Sequence, residues 1–135
     1  EIDPGALWDL EVSAAVLPAQ NKSGAGWDIF NGAPDPYVRV QSREGTSTHT
    51  GQTQVKMDTT APSWAETPLS GVRSSELVAN TSFEIWDSDV EFDDYVGGCA
   101  LPLRLSMFDG ALQSHTCPAT LSGVEVEIRY RVRHR

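Results

Sequence analysis

Residues 6–16, ALWDLEVSAAV, alternate apolar and polar side chains. Trp8, Leu10, Val12, Ala14 and Val16 fall on one face, with Asp9, Glu11 and Ser13 on the other. That is the period-two signature of a half-buried strand. A long loop rich in Gly, Pro, Asn and Ser follows at 17–35. Residues 36–42, PYVRVQS, alternate again, Val38 and Val40 opposing Tyr37, Arg39 and Gln41. A more polar strand is predicted at 50–57, a turn leading into a short strand at 59–67, and further strands at 82–86 and 95–103. Residues 104–120 read as irregular, with one helical turn near 106–108. The last strand has the clearest pattern: Val124, Val126, Ile128, Tyr130 and Val132 face one way, Glu125, Glu127, Arg129 and Arg131 the other. Trp8, Trp64 and Trp86 are expected in the core. About eight short strands, long loops and no strong helix predict an all-β fold, an eight-stranded antiparallel β-sandwich.

Length and composition keep that picture and narrow it. The 135 residues suit one domain. With 39% hydrophobic and 21% charged residues, the chain has the composition of a globular protein and not of a disordered one. No apolar run reaches the roughly 20 residues of a membrane span. No signal-peptide pattern is visible at Glu1, so residues 1–135 are expected to be a single mature or excised piece of a larger protein.

The formal charge of −9 argues against nucleic acid as a partner and against simple electrostatic docking on anionic lipid. The charge is uneven. RYRVRHR at the end carries four arginines and no acid, whereas residues 83–98 carry six acids and no base. The arginines are expected to form a solvated strand face.

Cys99 and Cys117 lie 18 apart without nearby His or Cys partners in the sequence, which does not make a zinc site. Two states are open: a disulfide in an exported protein, or two buried thiols. The bridge and a secreted or extracellular location are taken as the expectation. Sequons at Asn21 and Asn80 are compatible with export.

The candidate chemistry lies in FEIWDSDVEFDDYVGG, 83–98. Asp87, Asp89, Glu91, Asp93 and Asp94 crowd into eight positions among Val90, Phe92 and Tyr95. A purely solvated acidic loop has no need of those apolar neighbours. Calcium accounts for the acids, because it takes six to eight oxygen ligands and accepts several carboxylates. Magnesium keeps its waters, and His49, His115 and His134 are not near the acids in sequence. One loop rarely supplies enough oxygens. The best second donor is GWDIFNGAPDPYVRV, 26–40, with Asp28 and Asp35 beside Trp27, Ile29 and Phe30.

The 26–40 stretch resembles the first calcium loop of C2 domains. APSWAE at 61–66 resembles their Asn-Pro-x-Trp-x-Glu turn, with Ala61 in place of Asn, and WDSDVEFDDYVGG resembles their third loop. The three motifs stand in the family's order and span nearly the whole chain. The two cysteines make the chain most similar to the C2 domain of perforin-like pore-forming proteins. A first strand leading into the first loop, and an extra strand at the end, resemble the permuted, type II topology.

The resemblance implies a calcium site of two or three ions. Its ligands would be Asp28 and Asp35 from the first loop and Asp87 and Asp89 from the third, with Asp93 or Asp94 as the last. Ser88 would offer its carbonyl. It also implies a membrane-contact tip of Trp27, Ile29 and Phe30 on one loop and Val90 and Phe92 on the other, inserted once calcium neutralises the acids. Only Lys56 stands in the strand that is lysine-rich in phosphoinositide-binding members.

The expected function is therefore a calcium-dependent phospholipid-membrane-binding module at the membrane surface, targeting a pore-forming or secreted parent protein. The alternative is a C2-like module, with structural calcium or none, that binds protein. No G-x-S-x-G elbow, metal-hydrolase motif or Gly-rich phosphate loop is present, so no enzymatic activity is expected.

Overall fold

In the computed structural model, which describes residues 5–27, 32–90 and 92–135, eight strands form two antiparallel sheets. The strands are β1 (Leu7–Val16), β2 (Pro36–Glu44), β3 (Ser47–Gln52), β4 (Ser63–Arg73), β5 (Thr81–Asp87), β6 (Asp94–Ala100), β7 (Gln113–Cys117) and β8 (Val126–His134). One sheet has the order β4-β1-β8-β7 and the other β3-β2-β5-β6. A six-residue helix, α1 (Ser74–Ala79), joins β4 to β5, and a 3₁₀ turn spans Leu105–Met107.

The two inner faces meet in one core. Leu10, Val12, Ile128, Tyr130 and Val132 come from one sheet, and Val38, Val40, Phe83, Ile85 and Val96 from the other. Trp8 and Trp64 are buried as their apolar phase requires, whereas Trp86 lies half-buried on the outer face with Arg39 over its ring. The alternation of β1 holds only as far as Val12. A register shift against both neighbours between Val12 and Ala14 flips the phase, so Ala15 is buried and Val16 exposed. One extra residue in a strand exchanges its two faces.

Several predicted bounds move. The polar strand runs over 47–52 instead of 50–57, because Gly45, at φ +60°, closes a two-residue hairpin loop with Thr46. β4 is an eleven-residue strand, and β7 and α1 arise where no element was expected. β7 has little apolar signal of its own and forms by pairing with β8. The arginines of β8 are paired: Arg131 and Arg133 with Glu11, at 2.9 and 3.3 Å, and Arg129 with Glu127.

Cys99 and Cys117 form a disulfide that joins β6, the edge of one sheet, to β7, the edge of the other. His115 lies two residues before Cys117, and strand alternation places it on the same side. Its ring nitrogen comes within 4.8 Å of the sulfurs, so the cysteines do have a histidine neighbour, in sequence as well as in space, contrary to the expectation from the sequence. With the sulfurs bonded to each other, the trio offers no thiolate pair. The bridge closes the open side of the sandwich over an 18-residue separation. Replacing both cysteines with Ser is expected to cost about 3 kcal/mol, read as a lower urea midpoint; an unchanged midpoint would show that the edge strands hold without it.

Candidate metal centre

Three loops meet at the end of the sandwich where β1 leads to β2, β3 to β4, and β5 to β6: 17–35, 53–62 and 88–93. β2 begins with Pro36, and Asp35 just before it is the knot of the assembly. The Asp35 N–H donates to Asp87 Oδ1 at 2.8 Å, and its carbonyl accepts the Ser88 N–H at 2.9 Å. Its Oδ1 accepts the Asp58 N–H at 2.7 Å. One aspartate thus ties all three loops together.

The middle loop is held from its other side by the APSWAE turn. Trp64 Nε1–H donates to the Gln54 carbonyl at 2.8 Å, and Glu66 accepts the Gln54 N–H at 2.8 Å. Asp58 adopts φ +55°, a left-handed conformation that Asp tolerates better than most residues.

Asp87 continues the inward phase of Phe83 and Ile85 to the end of β5 and is only 4% exposed. Burial, together with the charges of Asp35, Asp94 and Asp89, pushes its carboxyl up to about 6, although the Asp35 N–H opposes the shift. Asp35, Asp87, Ser88 and Asp89 line a cup of about 430 Å³, walled by Trp27 and Ala33 and edged by Met57 and Val90. Val90 is 99% exposed, Phe92 on the same loop 79%, and Met57 73%.

A bulge decides which of the paired aspartates faces this cup. Along β5–β6, Ile85 pairs with Gly97 but Trp86 pairs with Tyr95, leaving Val96 as the extra residue. The insertion resets the alternation, so Asp94 lies directly across from Asp87 and shares its side. The backbones approach closely here: a Cβ on Gly98 would stand 2.1 Å from the Phe83 carbonyl oxygen and one on Gly97 2.5 Å from the Val124 carbonyl oxygen, which explains the Gly97–Gly98 pair. Asp93 is engaged elsewhere. Its Oδ2 accepts the Tyr37 hydroxyl at 2.6 Å, and its Oδ1 accepts the Asp89 N–H at 3.1 Å. The Tyr37 hydrogen bond holds the Asp93 carboxyl below the usual range. Burial first, then Asp93, push the Tyr37 phenol up to about 12.

Of the predicted ligands, the structure brings together Asp35, Asp87, Asp89 and Asp94 and sets Asp93 aside. Asp28, Ile29 and Phe30 lie outside the described residues. Trp27 was expected at an exposed tip and is instead 7% exposed within the core, its Nε1–H donating to the Pro18 carbonyl at 2.9 Å. The loop folds back on itself to bury it. Gln20 bridges Gly26, and the Asn21 carboxamide accepts the N–H groups of Ser23 and Ala25. An indole that finds both packing and a hydrogen-bond acceptor in its own loop gains nothing by facing water. Sequence reading missed Met57 and Asp58. Their signal was a Met-Asp pair just ahead of the APSWAE turn, at the end of the predicted strand 50–57.

Among the described residues, Asp35, Asp87, Asp89 and Asp94 have no Lys or Arg ion pair, in contrast to Glu11 with its two arginines. All four offer oxygen, the hard donor calcium takes, and the nearby Ser88 adds no soft ligand. Among the described residues no three of these carboxylates bring their oxygens within 4.8 Å of one another. The residues fit a hard divalent cation.

An antiparallel sandwich of eight strands with a carboxylate cup built from its end loops defines a loop-sited binding module. The chain belongs to the C2 domain family, whose model matches residues 11–118. The chain is similar to human GIVD cytosolic phospholipase A2, solved with an inhibitor and terbium chloride, at 20% identity and a TM-score of 0.59. That match covers 98% of this chain but only 18% of the phospholipase chain. It is also similar to an isolated C2 domain (21% identity, TM-score 0.59, 94% of this chain and 97% of that one). A third likeness is to the calcium-bound tandem C2 domains of extended-synaptotagmin 2 (16% identity, TM-score 0.60, 96% and 45%). These likenesses are of fold. A search of curated protein sequences gave no match.

Proposed function

We propose that this chain is a calcium-dependent phospholipid-membrane-binding module. The observation that carries the reading is the carboxylate cup of Asp35, Asp87 and Asp89, with Asp94 across from Asp87, none of them paired with a Lys or Arg among the described residues; Val90 and Met57 edge the cup, and Phe92 is exposed on the same loop as Val90. Without a cation, four acids repel one another and an anionic headgroup. Bound calcium ions offset these charges, and the apolar side chains enter the headgroup layer. Asp28 would complete the first-loop contribution. A large apolar side chain taken out of water contributes about 1.5–3 kcal/mol.

The finer placement belongs to the same proposal. β1 runs into the first loop and β8 pairs with β1, which supports a type II topology. The disulfide next to the third loop supports a perforin-like, secreted parent protein that this module targets to membranes. As a C2 domain the chain is a binding module, and we assign it no catalytic residue.

Co-sedimentation with vesicles mixing neutral and anionic phospholipids tests the reading. Binding is expected with calcium and not with EGTA. The double variant Val90→Ser/Phe92→Ser should lose about 100-fold in vesicle affinity, since each lost side chain removes about 1.4 kcal/mol or more, while keeping its calcium affinity. Calcium binding without any vesicle binding would instead favour a module that binds protein. Equal sedimentation with and without calcium would overturn the proposal.

A further inference from the structure

The second aspartate of the 93–94 pair has a different task from the first, and the geometry separates them. Asp94 stands across from Asp87 on the cup side of β6. Asp93 has both carboxylate oxygens engaged by protein donors: Oδ2 with the Tyr37 hydroxyl at 2.6 Å and Oδ1 with the Asp89 N–H at 3.1 Å. Tyr37 is itself held. It is buried in β2, pairs with Trp86 across the β2–β5 ladder, and lies two residues beyond Asp35. The hydrogen bonds therefore run from the base of the first loop, through Tyr37 and Asp93, to the backbone of Asp89 at the turn of the third.

We infer that Asp93 is a positioning residue, and that the Tyr37–Asp93–Asp89 chain sets the third loop for cation binding before the cation arrives. This rests on the calcium reading above. Loop 88–93 would otherwise lose conformational freedom when its carboxylates close on an ion, and that ordering would weaken binding. A chain of charge-assisted hydrogen bonds anchored on a buried tyrosine meets part of that cost during folding. The Asp89 N–H, fixed by Asp93, directs the Asp89 backbone, and Asp89 Oδ1 in turn accepts the Val90 N–H at 2.7 Å. The same chain thus also orients exposed Val90.

The sign of one substitution separates a brace from a ligand. Tyr37→Phe removes only the hydroxyl. If Asp93 is a brace, calcium affinity measured by calorimetry should fall about tenfold, the worth of one hydrogen bond to a charged group. Asp93→Asn should fall by a similar factor, and the double variant Tyr37→Phe/Asp93→Asn should be no worse than Asp93→Asn alone. Asp94→Asn should lose considerably more than either. In the calcium-free domain, amide hydrogen exchange at Asp89 and Val90 should speed up in Tyr37→Phe, with exchange in β2 and β8 unchanged, a local signature that general destabilisation does not produce. If Asp93 were a ligand, Tyr37→Phe would free its oxygen, and calcium would bind as tightly or more tightly. That result overturns the inference and leaves the calcium reading standing. Failure of the unaltered domain to bind calcium overturns both.

Discussion

Asp87→Asn is expected to lower calcium affinity by about 100-fold while raising the melting temperature of the calcium-free domain. The two effects have one cause. Asp87 is buried at the floor of the cup beside three other carboxylates, and its carboxyl is pushed up to about 6. Ionised, it is a liability to the empty fold and an asset to a bound cation. A unit charge pair at about 4 Å is worth about 4 kcal/mol at an effective permittivity of about 20. Desolvation takes back part of this, and about 1.4 kcal/mol is tenfold. Asn retains the acceptor for the Asp35 N–H, so the loop tie survives. Calorimetry and thermal melts with and without EGTA measure both signs; a variant that binds calcium normally would remove Asp87 from the site.

The same group sets a pH window. Between the ordinary value of 3.8 and about 6, the folded calcium-free domain holds a proton that the unfolded chain has released, so stability falls as pH rises across that interval. Calcium takes the ionised form. Its apparent affinity should be full above about 6 and fall about tenfold per pH unit below it, with proton release detectable in buffers of different ionisation enthalpy. An affinity flat from pH 7 to 5 would contradict this.

Glu76→Ala is expected to destabilise the domain by about 3–5 kcal/mol, the cost of breaking a buried charged cluster by removing one partner. Glu76 projects from α1, which precedes β5 and so stands at the opposite end of that strand from the cup. It accepts hydrogen bonds from Ser42 and Ser47 at 2.6 Å each and meets His49 Nδ1 at 2.7 Å, which fastens the helix to the β2–β3 hairpin. Burial alone would raise its carboxyl. The bonds from Ser42, Ser47 and His49 outweigh that and hold it below the ordinary range. Its stabilisation is therefore present above the ordinary value of 4.5 and is lost as pH falls through the lower folded value, opposite in sign to Asp87. Urea unfolding at neutral pH measures the loss, and the acid limb of the stability profile should flatten in the variant. Calcium affinity should not move; a change of less than about 1 kcal/mol in stability would show the cluster to be solvated.

What the sequence determined about this protein is whatever repeats locally. Period-two alternation marks β1, β2 and β8, because each strand must bury one face. Crowded acids mark the third loop, because like charges that close together need a cation or open water. Ordered motifs around Asp35, Trp64 and Asp87 mark the three loops. The elements it did not reveal draw their definition from neighbours: β7 from pairing with β8, and α1 from the Glu76 cluster. Glu76, in particular, reads in the chain as an ordinary surface acid.

The tertiary structure alone decided orientation. Trp27 reads in sequence as an exposed loop tryptophan, and only the fold-back of residues 20–26 supplies the packing and the Pro18 carbonyl that bury it. The adjacent Asp93 and Asp94 are indistinguishable by composition. One extra residue, Val96, opposite the Ile85–Trp86 step sends Asp94 to the cup and Asp93 to Tyr37. A strand's faces exchange with every inserted residue, so side is a property of pairing, and pairing exists only once distant strands have met.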